Sequence, residues 1–293
     1  MSRNSISAAD LPPCVVMRAL PDRGWPSRPP QRPRYPARPG PRRGWMLRAA
    51  VIGVLLLAAG AAVLWLTLPD VARLARANPE STAFIDLRRA QAREQGVTFR
   101  LRWKWRRLRD ISPYLRHAVI GAEDARFWEH EGVDWQAVRQ AAEHNWEEKG
   151  MARGASTITQ QLAKNLYLSP SRNPIRKVRE LLIARELERH LGKRRLLEIY
   201  LNVAEWGDGV FGAEAAAERW YGRSAAQLSP AQAARLAVAL PSPRRFSPAH
   251  RSPALDRKAE RLLRAMRGDG LISRTQLERA MVEIAGLHRT ALR

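Results

Sequence analysis

Two adjacent carboxylates, Glu123 and Asp124, lie just after a short apolar run at positions 118–120. A carboxylate at the edge of apolar surroundings has its charged form disfavoured, so it can act as a base near neutral pH. Together with Asp124, the side chains of Arg126 and His130 are candidates to orient Glu123. The alternative is an acidic pair exposed at a helix end, and this motif alone does not decide between the two interpretations.

A second polar block, GASTITQQLAKNLYL, occupies positions 154–168. Its apolar residues recur four apart and predict one buried helix stripe: Ile158, Leu162 and Leu166. The opposite face carries hydroxyl, amide and ammonium groups: Thr157, Gln160, Gln161 and Lys164. Amides and hydroxyls donate and accept hydrogen bonds, which suits a polyhydroxylated ligand. The alternative is a polar cap in which Ser156 or Thr157 begins the helix.

A third block begins at Asn173, a predicted N-cap followed by proline, and Gly192 is the predicted C-cap of this helix. Arg176 and Lys177 precede Glu180 by four and three residues, so the three side chains share one face. The alternative is an ordinary ion-paired surface helix, which fits four later residues better than it fits Glu180. Those residues are Arg185, Glu186, Glu188 and Arg189.

Five blocks in order resemble the successive motifs of the bacterial peptidoglycan glycosyltransferases: EDARFWEHEGVD, GASTITQQLAKNLYL, RKVRE, KRRLLEIYLN and WGDGVFGAEAAAERWYG. The resemblance extends from about Ile111 to about Pro248, and the last block looks most like that of the monofunctional members. It implies a mainly α, lysozyme-like glycosyltransferase domain in two lobes, with the cleft between them, preceded by one transmembrane helix.

The resemblance also implies an inverting reaction that polymerises lipid II. The GlcNAc 4-hydroxyl of lipid II attacks C1 of the growing glycan, forms a β-1,4 bond and releases undecaprenyl pyrophosphate. Glu123 matches the catalytic base, Asp124 would assist it, and Glu180 matches a second glutamate that orients substrate or holds a metal. Candidate clamps for the pyrophosphate are Lys164, Arg172, Arg176 and Lys177. Candidate residues for the sugar cleft are Ser156, Thr157, Gln160, Gln161 and Asn165.

No organic cofactor is expected, whereas a divalent cation, Mg²⁺ or Mn²⁺, stays open at Glu180. The sequence has no HExxH or CxxC pattern, so a structural zinc site is not expected. No serine has a lysine three residues further on, so the sequence lacks the S-x-x-K motif that carries the nucleophile of a transpeptidase. The chain is therefore expected to make glycan strands without cross-linking them.

Composition predicts three segments. Residues 1–45 hold half of the 20 prolines and many arginines, which predicts a disordered cytoplasmic tail. Residues 46–68 include an uncharged run of 20 residues, long enough for a transmembrane helix. Residues 69–293, with their motif core at 111–248, are the predicted glycosyltransferase domain. Arginines are denser before the apolar run than after it, which predicts a single-pass protein of the inner membrane with a periplasmic catalytic domain.

The formal net charge of +23 suggests an anionic partner. Nucleic acid is not expected, because the basic domain would lie outside the cytoplasm. The membrane surface, lipid II and the nascent glycan strand explain the charge, and cell-wall synthesis or division proteins are further candidate partners. In TFRLRWKWR, positions 98–106, aromatic and aliphatic residues alternate with cations. This pattern predicts a half-buried strand, with a membrane-interface contact as the alternative.

Two other functions stay open. One is a lytic transglycosylase or muramidase that acts on mature peptidoglycan, although the second block and the basic residues after it favour a pyrophosphate-bearing donor. The other is a noncatalytic scaffold of the cell-wall machinery. Two further helices are predicted near the C-terminus, at 255–266 and 273–284, and the sequence assigns them no role.

Overall fold

The computed structural model describes residues 43–147, 156–171, 173–249 and 252–290. The predicted disordered tail lies almost wholly outside these residues, and so does the candidate clamp Arg172. The chain divides into two units, with the boundary between Leu56 and Leu57.

Helix α1 (Arg43–Leu66) confirms the predicted apolar helix. Its segment Trp45–Leu66 is long and apolar enough to cross a membrane. Large apolar side chains are exposed along it, for example Leu57 at 75%. The helix ends two residues before the predicted boundary, and the Thr67 hydroxyl donates a hydrogen bond to the Val63 carbonyl at 2.8 Å.

The second unit is mainly helical, as the resemblance predicts. Its helices are α2 (Ala83–Glu94), α3 (Pro113–Glu123), α4 (Trp135–Glu147), α5 (Ile158–Tyr167), α6 (Pro174–His190), α7 (Lys193–Val203), α8 (Ala213–Tyr221), α9 (Pro230–Ala239), α10 (Pro253–Gly268) and α11 (Arg274–Thr290). Single 3₁₀ turns occur at Ala72–Ala75, Leu108–Asp110 and Ala225–Gln227. Helices α10 and α11 confirm the two predicted C-terminal helices.

Helix starts follow the capping residues in the sequence. Asn173 caps α6, with its side chain accepting a hydrogen bond from the Ile175 N–H at 2.8 Å. The prediction for Gly192 is wrong: α6 ends at an extended Leu191, and Gly192 has φ −68° at the N-cap of α7. Only two residues separate the two helices, so the glycine begins the next helix and does not close the previous one.

A small sheet has the order β1-β3-β2, with β1 (Arg102–Trp103) parallel to β3 (Val210–Phe211) and β2 (Glu205–Gly207) antiparallel to it. The strand predicted over 98–106 is therefore only two residues long. Its alternation is nevertheless confirmed, because Trp103 and Trp105 pack against the core while Arg102 and its basic neighbours face outward. The Trp103 indole donates to the Asn202 carbonyl at 2.7 Å, which fixes this segment on α7.

Helix α9 is the centre of the core and packs against α3, α10 and α11. Its sequence, PAQAARLAVA, is rich in alanine, and seven of its apolar side chains are buried. Small side chains let neighbouring helices approach closely, so α9 brings α3 and α10 to its two sides. A buried ion pair between Arg235 and Asp256 also joins α9 to α10.

Gly212, which precedes α8, passes close to the end of α7. It has φ +83°, and a Cβ atom there would lie 2.7 Å from the Asn202 carbonyl oxygen. Gly222, after α8, has φ +64° and open space around it. Both glycines have a positive φ, which disfavours a side chain. Gly222 is left-handed helical with ψ 26°, whereas Gly212 has ψ 153°, a conformation that is essentially restricted to glycine.

We expect Gly212→Ala to destabilise the protein more than Gly222→Ala. Gly222→Ala places a side chain on a left-handed residue, which costs about 1–2 kcal/mol. Gly212→Ala adds an overpacking cost of about 1–3 kcal/mol, because the new methyl group meets the Asn202 carbonyl. Thermal unfolding in detergent should show Tm lowered by roughly 5–15 °C for Gly212→Ala and by a few degrees for the control. Equal Tm losses would contradict the close approach of α7 and α8.

Candidate active site

Glu123 is the last residue of α3, where the buried face formed by Val119 and Ile120 ends. One of its carboxylate oxygens, Oε1, is buried and has no hydrogen-bond partner among the described residues. Burial raises the pKa of Glu123, while a hydrogen bond from Gln161 and the charge of Lys164 oppose the increase. A desolvated carboxylate with one free oxygen can accept a proton from a bound hydroxyl.

The other oxygen of Glu123 is held by a chain of two hydrogen bonds. Gln161 on α5 donates from Nε2 to Glu123 Oε2 at 2.7 Å. Tyr200 on α7 donates its hydroxyl to Gln161 Oε1 at 2.9 Å. Because the tyrosine hydroxyl occupies the amide oxygen, the amide NH₂ must face the carboxylate. Burial raises the pKa of Tyr200 well above its ordinary value, which keeps its hydroxyl a donor.

Asp124 makes different contacts from its neighbour. His130 Nε2 lies 2.9 Å from Asp124 Oδ1, and the Ile158 N–H donates to Asp124 Oδ2 at 2.9 Å. The carboxylate therefore sits at the N-terminus of α5, where the helix dipole favours negative charge. Arg126 is paired with Glu129 at 2.8 Å. Of the groups predicted to orient Glu123, Asp124 and His130 thus bind to one another and Asp124 also binds the start of α5. The contact with Glu123 comes from Gln161.

The polar face predicted for α5 divides into two parts. Thr157 and Gln160 form a reciprocal cap at the helix start, and both side chains are buried. The Thr157 hydroxyl also donates to the Gly132 carbonyl at 2.6 Å. Gln161 and Lys164 instead point toward the acidic side chains. The polar-cap interpretation is therefore confirmed for Thr157, and it is the second half of the face that contacts Glu123.

Glu180 on α6 lies at the centre of a cationic cluster. Arg176 Nη1 is 2.5 Å from Glu180 Oε2, and Lys177 pairs with Oε1. Lys177 Nζ also lies 3.4 Å from the Ser156 hydroxyl. Burial lowers the pKa of Lys164, and the charge of Glu180 opposes the decrease. Three cations around one carboxylate leave excess positive charge, which suits an anionic ligand.

A divalent cation at Glu180 does not fit this arrangement. Both carboxylate oxygens are paired, with Arg176 and Lys177, and Lys164 adds a third positive charge nearby. No group of three or more His, Cys, Asp or Glu side chains in the described part of the chain could hold a metal ion. Metal binding would therefore require the cluster to rearrange.

Two cavities border Glu123. One, of about 390 Å³, is formed with α9 and α10 and includes Lys258 and Arg261. The other, of about 280 Å³, is formed with α4 and the start of α5 and includes Ser156 and Thr157. The carboxylate thus lies between two spaces, each near basic side chains. Asn165 lies further along α5 and is partly exposed.

The elements that carry this site lie within a region that matches a known family. A family model described as Transglycosylase matches residues 88–267, which include every element around Glu123. The chain belongs to the peptidoglycan transglycosylase family. Relatives named biosynthetic peptidoglycan transglycosylase include one from Nitrosospira multiformis, 49% identical over 189 residues (64% of this chain, 82% of the relative). Others are from Herminiimonas arsenicoxydans, 50% identical over 190 residues (64% and 82%), and Azoarcus sp., 47% identical over 215 residues (72% and 92%).

Sequence reasoning missed three side chains of this transglycosylase site. Tyr200 lies in an apolar stretch, and nothing in its spacing distinguishes it from a core tyrosine. Lys258 and Arg261 are three residues apart on one face of α10, a helix for which the sequence indicated no role. The only signal in the sequence for Lys258 and Arg261 was that two cations lie together on a strongly amphipathic helix. Such a pair is also typical of a helix face exposed to solvent.

We expect Gln161→Leu to move the acid limb of the transglycosylase pH profile to higher pH. Loss of the donated hydrogen bond removes stabilisation of the Glu123 carboxylate, so its pKa rises and less of the base is ionised. A hydrogen bond to a charged group contributes about 1.5–3 kcal/mol, so kcat/KM on the acid side should fall about tenfold or more. The measurement is kcat/KM against pH.

Tyr200→Phe is the matched control, because it leaves Gln161 in place and frees only its amide oxygen. Its acid limb should move in the same direction by a smaller amount. An unchanged limb in Gln161→Leu, or a movement to lower pH, would contradict the assigned hydrogen bond.

Proposed function

We propose that this transglycosylase polymerises glycan strands with Glu123 as the general base. The single observation that carries the proposal is the Glu123 carboxylate between two cavities. Gln161 holds one oxygen, and the other oxygen is buried and has no hydrogen-bond partner among the described residues. Burial raises the pKa of Glu123, which favours proton acceptance from a hydroxyl.

In the proposed reaction, Glu123 takes the proton of the acceptor's GlcNAc 4-hydroxyl as that oxygen attacks C1 of the donor. The new bond joins O4 to C1, and the bond from C1 to the pyrophosphate oxygen breaks. A single displacement inverts C1 from α to β. The leaving group departs as an anion, so it needs charge neutralisation more than a proton. One carboxylate base is therefore sufficient, unlike the paired carboxylates of glycoside hydrolysis.

We place the donor pyrophosphate on the side of α5 and α6. The cations there are Lys164, Arg176 and Lys177, and Ser156 joins them to the smaller cavity through its contact with Lys177. Preorganised positive charge near a developing anion is usually a large part of catalysis. Glu180 would hold Arg176 and Lys177 in position, which makes it a positioning residue in this proposal.

The acceptor would then occupy the larger cavity, between α3, α9 and α10. Lys258 and Arg261 border this space together with Glu123. An acceptor that also carries a pyrophosphate would place it against these two cations while its hydroxyl reaches the free oxygen of Glu123. This arrangement requires a lipid-linked acceptor such as lipid II, and undecaprenyl pyrophosphate would be the product released from the donor.

We further propose that α1 anchors the chain in the inner membrane, with the catalytic unit on the periplasmic side. The support is the length of the apolar helix and the greater density of arginines before it. The relatives' name, biosynthetic peptidoglycan transglycosylase, agrees with a role in peptidoglycan synthesis.

We expect Glu123→Gln to fold normally and to lose polymerisation of lipid II about 100- to 10,000-fold, the usual contribution of a general base. The amide keeps the shape of the side chain but does not accept a proton at neutral pH. The measurement is glycan strand formation from labelled lipid II by the detergent-solubilised chain, with mature sacculi as a parallel substrate.

Asp124→Asn is the matched control. It should lower the Tm, because it weakens the tie to His130 and the start of α5, whereas Glu123→Gln should leave the Tm unchanged. Retention of more than about a tenth of wild-type activity by a folded Glu123→Gln protein lies outside the range of general-base catalysis and would refute this assignment. Activity on sacculi but not on lipid II would refute the polymerase function.

A further inference from the structure

A separate basic cavity of about 560 Å³ lies between α3, α7 and the 3₁₀ turn Leu108–Asp110. It shares no lining residue with the two cavities at Glu123. Its charged lining consists of five arginines and one glutamate: Arg107, Arg109, Arg116, Arg194, Arg195 and Glu198. We call it the arginine cavity. The proposed polymerase reaction gives it no role.

Two of the five arginines have an acidic partner: Arg109 lies 3.8 Å from Asp110, and Arg195 is paired with Glu198. Glu198 is paired with Arg195 at 2.5 Å and accepts from the Leu108 N–H at 2.8 Å, so it is already occupied. In the described part of the chain, no ion pair within 4.0 Å involves Arg107, Arg116 or Arg194. Arg116 Nε is buried and lacks a hydrogen-bond partner there. A buried unpaired donor beside several unpaired cations indicates a place for an anion.

The uncharged lining indicates which kind of anion. Among the described residues, no serine, threonine, asparagine or glutamine lines the arginine cavity, and its remaining polar side chain is that of His117. Its apolar lining consists of Leu108, Ile120, Leu197 and the side chain of Trp128, which is 51% exposed. Guanidinium groups bind phosphate through paired hydrogen bonds, and tryptophan is frequent at membrane interfaces. The combination suits a phosphate group attached to apolar chains.

The wall of the arginine cavity is also tied to the chain that follows α1. Arg195 donates to the Leu74 carbonyl and to the Ala77 carbonyl, each at 2.9 Å. Leu74 is eight residues after Leu66, the end of the apolar helix, and eight residues span at most about 29 Å. If α1 crosses the membrane, Leu74 in this wall therefore lies within about 29 Å of the end of the membrane-spanning helix.

We propose that the arginine cavity binds the phosphate headgroup of an anionic phospholipid. Arg107, Arg116 and Arg194 would contact the phosphate, and Trp128 would lie at the level of the headgroups. The bound lipid would hold the catalytic unit against the membrane surface at a second point besides α1. This site is independent of Glu123 and of the pyrophosphate-bearing substrates.

The test uses native mass spectrometry of the full chain, released from neutral-detergent micelles that contain phosphatidylglycerol and phosphatidylcholine in equal amounts. The wild-type chain should retain phosphatidylglycerol in preference to phosphatidylcholine. The double variant Arg107→Ala/Arg194→Ala should bind phosphatidylglycerol about 30-fold more weakly, since each surface cation contributes about 1 kcal/mol to contact with anionic lipid. Circular dichroism and Tm should be unchanged.

The matched control is Arg223→Ala/Arg279→Ala, which removes the same charge from two exposed arginines outside the arginine cavity. It should retain phosphatidylglycerol as the wild type does. An equal loss in both double variants would overturn the proposal, because net charge alone would then explain retention. A third arm adds inorganic phosphate to the wild type. If the chain binds phosphate but shows no preference for phosphatidylglycerol, the lipid assignment is wrong.

Discussion

The junction between the end of α3 and the start of α5 is the contact on which the catalytic geometry depends. The Asp124 carboxylate accepts the Ile158 N–H and contacts His130, so one buried acid ties the loop after α3 to the N-terminus of α5. A carboxylate in this position satisfies a free helix N–H and is stabilised by the helix dipole. Two neighbouring carboxylates thereby acquire different environments: Asp124 is fully paired, and Glu123 keeps a free, desolvated oxygen.

The position of α5 then determines what reaches Glu123. Because the cap uses Thr157 and Gln160, the next residues on that face, Gln161 and Lys164, are directed toward the carboxylates. Tyr200 sets the orientation of the Gln161 amide from α7. The same helix packs on α6, which carries the cationic cluster around Glu180. Base and cations are thus held by helices, which position side chains more rigidly than loops do.

Much of this was predictable from the sequence, because the relevant patterns are local. The period of Ile158, Leu162 and Leu166 gave the buried side of α5 correctly, and the spacing of Arg176, Lys177 and Glu180 gave their shared face. Local patterns could not distinguish Gln160 from Gln161, because which amide caps the helix depends on where the helix begins.

Other features depend on tertiary contacts that no short pattern contains. Half-buried and exposed side chains alternate within residues 98–106 as predicted. Only two of these residues form a strand, because the partner strand β3 is itself two residues long. The Gly192 prediction failed because α7 begins immediately after α6. Tyr200 reaches Gln161, and the cations of α10 reach the cavity beside Glu123, only once α7 and α10 are packed in the folded chain.

The central claim is that burial and the Gln161 contact prepare Glu123 to accept a proton. The most direct measurement is the titration of its carboxyl carbon by ¹³C NMR in the full chain, with the resonance assigned by its absence from E123Q. The account predicts a pKa for Glu123 above the usual range of a glutamate, since burial is the largest influence on it. A pKa at or below that range would contradict the account, because the carboxylate would then be solvated in the folded enzyme.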